Sequence, residues 1–320
     1  MSRYSVAILG ASGLVGQRLQ ELLYNHPFFE VVAIAGSPKH VGLMFEEIEW
    51  RLDTPRPEYD ILLCSMSDIP DVDIAFSALP SNVAEIVEPS LVARGIHVFS
   101  NASVFRRITG IPLVIPEVNP EAMDAYEGHA CATNCTVVPV VMPIKGLMPL
   151  GIKSVTIHTR QALSGGGWRL LFDESALAGD VNPFIPGEEE KLVAEFKHLL
   201  DLEIPVFASC NRVPHRDGHF VSCGVEVSRS TTIEEVNRLM AIPSLNLPSS
   251  PREVNMIIDE SPNREDHLWA GDGMTTTVGN IQVEGNIIRF DALSHNTVRG
   301  AAGGVILLAE FAVQESYITK

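Results

Sequence analysis

The chain has 320 residues, 46% hydrophobic and 20% charged, with a formal net charge of −17 and a pI near 4.9. That length accommodates one large or two medium domains. The acidity argues against a nucleic-acid partner, which needs a basic face, and any anionic ligand must be met by local cations.

Residues 4–9 read as a buried strand, followed by a glycine turn and a helix to about Tyr24. A second strand fits 31–35. Short apolar runs at 60–64, 74–77, 97–100 and 113–115 read as further strands, with a helix over 82–94. This alternation predicts a parallel, doubly wound sheet. From about Thr136 the texture changes. A helix starting at Val137 ends by Met148; Pro139 is tolerated in its first turn, whereas Pro143 is expected to kink or shorten it. β-rich runs follow at 153–161, 206–213, 220–227, 275–283 and 286–293, with helices at 188–200 and after "STTIEEVNRLM". They predict an α+β domain on a mixed or antiparallel sheet. Residues 244–255 read as an exposed loop, and a final helix over 297–313 is apolar enough to pack on the first domain. The expected fold is α/β: a Rossmann-type dinucleotide-binding domain (1–133 plus 297–320) and an α+β catalytic and dimerisation domain (134–296).

The cysteines, Cys64, Cys131, Cys135, Cys210 and Cys223, are odd in number and show no paired framework or signal peptide. A reduced, cytoplasmic compartment is expected. No apolar run is long enough to span a bilayer, and no membrane partner is expected.

Gly10, Gly13 and Gly16 follow the first strand and open a helix. Ser12 stands where a middle glycine is usual, yet the context is that of a dinucleotide loop, whose N–H groups hold a pyrophosphate. A glycine turn needed only for strand–helix packing is the alternative. NAD binders place an acid after the second strand for the ribose 2′-OH. Here Ser37 and Lys39 stand there instead, a hydroxyl and a cation suited to a 2′-phosphate. NADP is therefore favoured, although Lys39 taken alone is equally an ordinary surface lysine.

Cys135 in "ATNCTVVPVV" lies just before an apolar helix. There the helix dipole and free N–H groups stabilise a thiolate, and the same N–H groups can form an oxyanion hole. "SCNRVPHRDGHF" carries Arg212, His215, Arg216 and His219. A thiol nucleophile needs a proton partner, usually His, and an Arg can clamp a carboxylate with two bonds. A polar turn with solvated histidines has the same spacing.

These residues resemble the aspartate-semialdehyde dehydrogenase family, in its archaeal and fungal branch. "GASGLVG", "FSALPSNVA", "SNAS", "IPLVIPEVNP", "TNCT", "QALSGGG", "GEEEK", "NRVP" and "SHNTVRGAAGG" occur in the family's order nearly end to end. The resemblance implies NADPH-dependent reductive dephosphorylation of L-aspartyl 4-phosphate, in the biosynthesis of lysine, threonine, methionine and isoleucine. It implies Cys135 as the nucleophile that forms a thioester and His219 as the acid/base. Arg212 clamps the substrate α-carboxylate, Gln161 orients the acyl group, and Glu188 and Lys191 meet the ammonium and phosphate. Arg106 binds phosphate, and Asn134 flanks the nucleophile. The cofactor falls to Gly10, Ala11, Ser12, Gly13, Leu14, Val15, Ser37, Lys39, Ser77, Pro80, Ser164, Gly165 and Asn296; no metal is implied. Relatives associate through the second domain's sheet, so a homodimer or homotetramer is expected. Residues 168–186, His215 and Arg216 depart from the family's pattern, which bears on substrate preference. An acyl-CoA reductase, such as a malonyl-CoA reductase, shares the scaffold and the Cys/His pair. A non-catalytic NADPH-binding protein is a third reading, and the presence of both Cys135 and His219 counts against it.

Lys39→Glu is expected to weaken NADPH binding far more than NADH binding, because the 2′-phosphate loses a cation and meets an anion. Fluorescence titration with both cofactors measures this; equal losses would show that Lys39 does not read that phosphate.

Overall fold

The computed structural model describes residues 3–320. They divide into two compact units: residues up to Pro116 with Pro120–Thr133 and Ala301–Lys320, and Glu117–Asn119 with Asn134–Gly300.

The first unit opens with β1 (Tyr4–Leu9), α1 (Leu14–Leu22) and β2 (Phe29–Ala35), then β3 (Ile74–Ser77), α2 (Ser81–Ala93), β4 (His97–Ser100) and β5 (His129–Cys131). The strands form one parallel sheet in the order β2-β1-β3-β4-β5. Residues 6–9 and 74–77 are wholly buried, as strands covered on both faces must be. The chain leaves β1 for β2 on one side and resumes with β3 on the other, so the Gly10 loop sits at a topological switch point, where such sheets bind ligands.

One side chain ties this sheet together. The fully buried Glu88 of α2 accepts from Ser77 Oγ at 2.5 Å, Ser100 Oγ at 2.9 Å and His129 Nε2 at 2.9 Å. A buried carboxylate is tolerated only where hydrogen bonds replace its lost hydration. Here the donors come from β3, β4 and β5 together.

The second unit holds α3 (Val138–Leu147), β6 (Ile152–Gln161), the short α4 (Gly167–Leu171) and α5 (Glu174–Leu177), α6 (Glu188–Leu200), β7 (Val206–Arg212) and β8 (His219–Val227). There follow α7 (Ile233–Met240), β9 (Asn255–Ile257), α8 (Arg264–His267), β10 (Thr276–Glu284) and β11 (Ile287–Ser294). Its sheet is mixed, in the order β7-β6-β8-β11-β10-β9, with parallel pairs only at the two edges. The apolar α3 packs under it against α6 and α7. After a π turn at Val298–Ala302 the chain rejoins the first unit as α9 (Gly303–Gln314), which packs on α1 and β4. There Glu310 pairs with the buried His26 at 2.8 Å.

Several local expectations differ from the structure. Residues 60–64 and 113–115 make only single-residue bridges, Met44 with Leu62, Ala35 with Cys64 and Leu113 with Cys131. Pro112 and Pro116 bracket the latter run and cannot donate to a ladder. The first helix stops at Leu22, short of Tyr24, and Asn25 follows with φ 57°. α3 ends at Leu147, within the expected limit of Met148, with Pro143 inside it. Residues 244–255 are not an open loop: Leu247, Pro251, Val254 and Asn255 are buried, and Asn255 Nδ2 donates to Met142 O and Met240 O. The last helix begins at Gly303, not at 297, because the Gly300 N–H reaches back to His295 O first. β5 and β9, three residues each, are too short to leave a periodic pattern. Among the described residues no helix is long and apolar enough to cross a membrane, and no cluster of His, Cys, Asp and Glu can hold a metal ion.

Glu88→Ala leaves two hydroxyls and an imidazole buried without their acceptor, and is expected to cost about 3–5 kcal/mol of stability, the usual effect of breaking a buried charged network. Urea unfolding measures this; a loss under about 1 kcal/mol would remove Glu88 as the tie between the strands.

Candidate active site

The catalytic groups of the second unit meet because of strand direction. β6 and β7 run parallel with Gln161 opposite Arg212, and β8 runs against β6 with Phe220 opposite Arg160. The last residues of β6 and β7 and the first of β8 therefore share one end of the sheet. The connection from β6 to β7 passes through α6, whose N-terminus, carrying Glu188, returns to that same end.

Cys135 lies in the turn that leads into α3, half-buried, with Sγ 3.3 Å from His219 Nε2. His219 is the first residue of β8 and wholly buried. Its Nδ1 accepts the Ala162 N–H at 3.2 Å, which leaves the proton of a neutral imidazole on Nε2, facing sulfur. Burial, then the charges of Arg212, Arg264 and His295, hold its pKa well below the ordinary 6.5. The ring is therefore neutral at pH 7.

The nucleophile turn is fixed from several sides. Asn134 Oδ1 accepts the Thr136 N–H at 3.1 Å and lies 3.6 Å from Sγ, and the Asn134 N–H donates to Glu195 Oε2 at 2.7 Å. Glu188 Oε1 accepts from Asn134 Nδ2 at 2.9 Å, Thr136 Oγ1 at 3.1 Å and Gln161 Nε2 at 3.3 Å. Two N–H groups expected to line an oxyanion hole are thus already engaged: Thr136 with Asn134 Oδ1, and Val137 with Asn134 O. Capping the turn with Asn134 uses those donors.

Arg212 Nη1 donates to Ala162 O at 2.7 Å, and burial lowers its pKa against the opposing charges of Cys135 and Glu188. Gly165 packs beside it: a Cβ there would lie 2.8 Å from Arg212 Nη1 and 3.1 Å from His219 Cε1. Ser164 and Asn296 are buried and joined, Asn296 Nδ2 to Ser164 Oγ at 2.7 Å. Lys191 is exposed one turn along α6 from Glu188. His215 and Arg216 are exposed on the turn before β8, and Arg216 sits over the Phe172 ring. Residues 167–187 span from the turn after β6 to α6, pair Asn182 with Arg212 through the backbone, and expose Phe172, Val181 and Phe184.

In the first unit, Gly10 has φ +87° and a Cβ there would meet Ala78 O at 2.7 Å; a Cβ on Gly16 would fall 2.1 Å from Gly10 O. Only glycine permits this turn. The Gly10 and Ala11 N–H groups bond to Ala35 O, and the first intrahelical bond of α1 is Gln17 N–H to Gly13 O. The helix start has no side-chain cap and no acid in its first turn, so no negative side chain competes with an anion there. Ala11, Ser12 and Gly13 complete this loop. Beyond β2, Ser37 precedes the 3₁₀ turn Pro38–His40 that carries the exposed Lys39, with no acid between. These residues fit a phosphorylated dinucleotide. Ser77 is buried with its hydroxyl on Glu88, whereas Pro80 is exposed at the start of α2. Arg106 lies in this unit also, donating to Asn101 O at 2.8 Å.

The sequence reading missed Glu195, Thr136 and the Ala162 N–H. For Glu195 a signal existed: it falls on the buried stripe of α6 with Leu192, Phe196 and Leu199, where a carboxylate needs a partner.

Two family models match the chain: "Semialdehyde dehydrogenase, NAD binding domain" over residues 5–126 and "Semialdehyde dehydrogenase, dimerisation domain" over residues 144–299. An aspartate-semialdehyde dehydrogenase of Archaeoglobus fulgidus is 40% identical, over 99% of this chain and 100% of its own length. A malonyl CoA reductase (NADP) of Metallosphaera sedula is 31% identical over 98% of both chains. The crystal structure of aspartate semialdehyde dehydrogenase with NADP from Candida albicans has a TM-score of 0.86 at 30% identity, covering 99% of this chain and 100% of that one.

Iodoacetamide is expected to alkylate Cys135 before the other cysteines. Burial pushes the Cys210 thiol up to about 11 and raises Cys223 and Cys64 as well, and Cys131 is wholly enclosed. Time-resolved mass spectrometry reads the order; Cys64 or Cys223 labelled first would contradict it.

Proposed function

The chain belongs to the semialdehyde dehydrogenase family, and from that premise we propose that it reduces L-aspartyl 4-phosphate to L-aspartate 4-semialdehyde with NADPH, in the biosynthesis of the aspartate-derived amino acids. The observation that carries the reading is the 3.3 Å approach of Cys135 Sγ to a neutral, buried His219.

With its proton released to solvent, the Cys135 thiolate attacks the acyl carbon; the bond from that carbon to the phosphate oxygen breaks, phosphate leaves with that electron pair and takes a proton from water, and a thioester remains on sulfur. His219 Nε2–H hydrogen-bonds the thiolate before attack and the oxyanion that develops from the carbonyl after it. A neutral imidazole suits this electrophilic role, as a preorganised donor to developing negative charge. When bound, NADPH supplies the hydride that reduces the thioester carbonyl. The resulting oxyanion on the Cys135 adduct expels the thiolate and leaves as the aldehyde. Arg212 receives the substrate α-carboxylate, Glu188 its ammonium, and Lys191 and Arg106 the phosphate; Gln161 orients the acyl group. The loop from Gly10 to Val15 holds the pyrophosphate, and Ser37 with Lys39 the 2′-phosphate. Asn134 holds the nucleophile turn.

The assembly is a homodimer or homotetramer formed through the second unit, a reading supported by the matched dimerisation domain. The enzyme works in the cytoplasm, where Cys135 remains reduced. The malonyl CoA reductase relative, full-length at 31% identity, favours a second reading in which a CoA thioester replaces the acyl phosphate.

One assay decides between them: reduction of NADP by aspartate semialdehyde, with phosphate or arsenate in one arm and CoA in the other. Phosphate-dependent turnover is expected; CoA-dependent turnover alone would overturn the proposal. In the same assay His219→Asn is expected to lower kcat by about 10² to 10⁴-fold, while the exposed His215→Asn costs little. The reverse order would displace His219 from the chemistry.

A further inference from the structure

We infer that Arg299 and Gly300 position the nucleophile: the pairing of Arg299 with Glu117 pins the chain at this point, and the bare Cα of Gly300 bears on Cys135 and keeps its sulfur against His219. The inference rests on the Cys135–His219 reading of the site.

Gly300 lies against the nucleophile itself. A Cβ on Gly300 would fall 2.6 Å from Cys135 Cβ, 2.9 Å from its Cα and 3.3 Å from its carbonyl oxygen. No side chain fits that gap, so the backbone at 300 is a wall on which Cys135 rests. Gly300 is not among the glycines with positive φ. Its own conformation therefore does not call for glycine; the contact with Cys135 does.

Two contacts hold residue 300 in place. The Gly300 N–H bonds His295 O at 3.1 Å, a π-type closure one residue wider than an α turn and uncommon without outside support. The support comes from the neighbouring side chain. Arg299 is buried, and its Nη2 donates to Glu117 Oε1 at 2.8 Å and to Met142 Sδ at 3.5 Å. The Glu117 side chain is wholly enclosed, and its Oε2 has no partner among the described residues, so the carboxylate depends on Arg299 for compensation. Met142 belongs to α3, the helix that the Cys135 turn leads into. Arg299 is thereby registered on the same helix as the thiol, and Gly300 with it. Cys135 is thus fixed at its sulfur by His219 and Asn134, and at its Cα and Cβ by Gly300.

The charged and titratable groups around the sulfur are His219 on β8, Arg212 on β7 and, through Asn134, Glu188 on α6. None of them touches residue 300's added atom as closely as Cys135 does. A Cβ at 300 therefore has to displace Cys135, because the nearest atoms are its Cα and Cβ. Sulfur and imidazole already touch, so displacement lengthens or misaligns their contact. A shift of about 1 Å at a reacting group costs on the order of 10²-fold in rate.

The test follows iodoacetamide alkylation of Cys135 against pH in the full chain, without NADPH, so that an effect on cofactor binding does not enter the readout. In Gly300→Ala the midpoint is expected to rise by about one unit, because the thiolate loses a well-placed Nε2–H donor. Arg299→Met, which leaves Gly300 in place but unpins it, is expected to raise the midpoint by a smaller step. Arg299→Lys, which keeps a charged donor for Glu117, is expected to restore the parent curve. In the phosphate-dependent assay, at saturating cofactor and substrate, kcat falls about 10- to 100-fold in Gly300→Ala. A folded Gly300→Ala with the parent's alkylation midpoint would overturn the inference. So would Arg299→Met with the parent's alkylation midpoint and a lower urea midpoint, which would make the Glu117–Arg299 pair a stabilising contact alone. Where either variant does not fold, Glu117→Gln, which keeps an acceptor for Arg299 and removes only the charge, carries the comparison: a raised alkylation midpoint supports the pin, and a parent-like curve overturns it. A parent chain that alkylates at Cys135 without phosphate-dependent turnover would count against the substrate alone, and the alkylation comparison would still decide the role of Arg299 and Gly300.

Discussion

The 3.3 Å separation of Cys135 Sγ and His219 Nε2 depends on register. Cys135 hangs on a turn below the sheet; His219 begins a strand in it. Moving β8 by one residue against β6 would turn the imidazole to the opposite face and separate the two groups. The eight-residue pairing of β8 with β11, from Glu226 opposite Ile287 to His219 opposite Ser294, prevents that slip. Much of the second unit serves to hold this pairing, and α3 beneath it holds the turn that carries the thiol.

The electrostatics of the site run against the charge of the chain. In a protein of net charge −17, burial first and then the nearby Arg212 and Arg264 charges keep the His219 ring neutral. Close by, Glu188 accepts from Asn134 Nδ2, Thr136 Oγ1 and Gln161 Nε2, and Glu195 from the Asn134 N–H, while the Glu188 charge also reaches Arg212. These carboxylates tie down the turn, and the guanidinium groups donate to backbone carbonyls.

The glycine turn was legible because it is a contiguous pattern: three glycines after an apolar run need no tertiary information. Cys135 and the charged helix from Glu188 were legible for the same reason, since a cap position and a helical stripe are local. What the sequence could not display is contact across the sheet. Ala162 acts through its backbone N–H, which any residue but proline would supply, so its identity says nothing. The engagement of the Thr136 and Val137 N–H groups by Asn134 follows from how the turn closes, not from which residues compose it. β5 and β9 exist because neighbouring strands offer them an edge, and three residues alone carry no periodicity. The segment around Asn255 erred toward local propensity, where packing prevailed.

Residues 167–187 join two elements whose positions are determined elsewhere. One end is stitched to the 213–216 chain, and the other enters α6, whose Glu188 is bonded to the nucleophile turn. Between them the Asn182 bridge, the buried Leu171 and the Arg216 guanidinium over the Phe172 ring attach the stretch to the rest of the unit. The 3.3 Å contact of sulfur and imidazole is made by residues outside that span, so it draws on none of the side chains exposed along it.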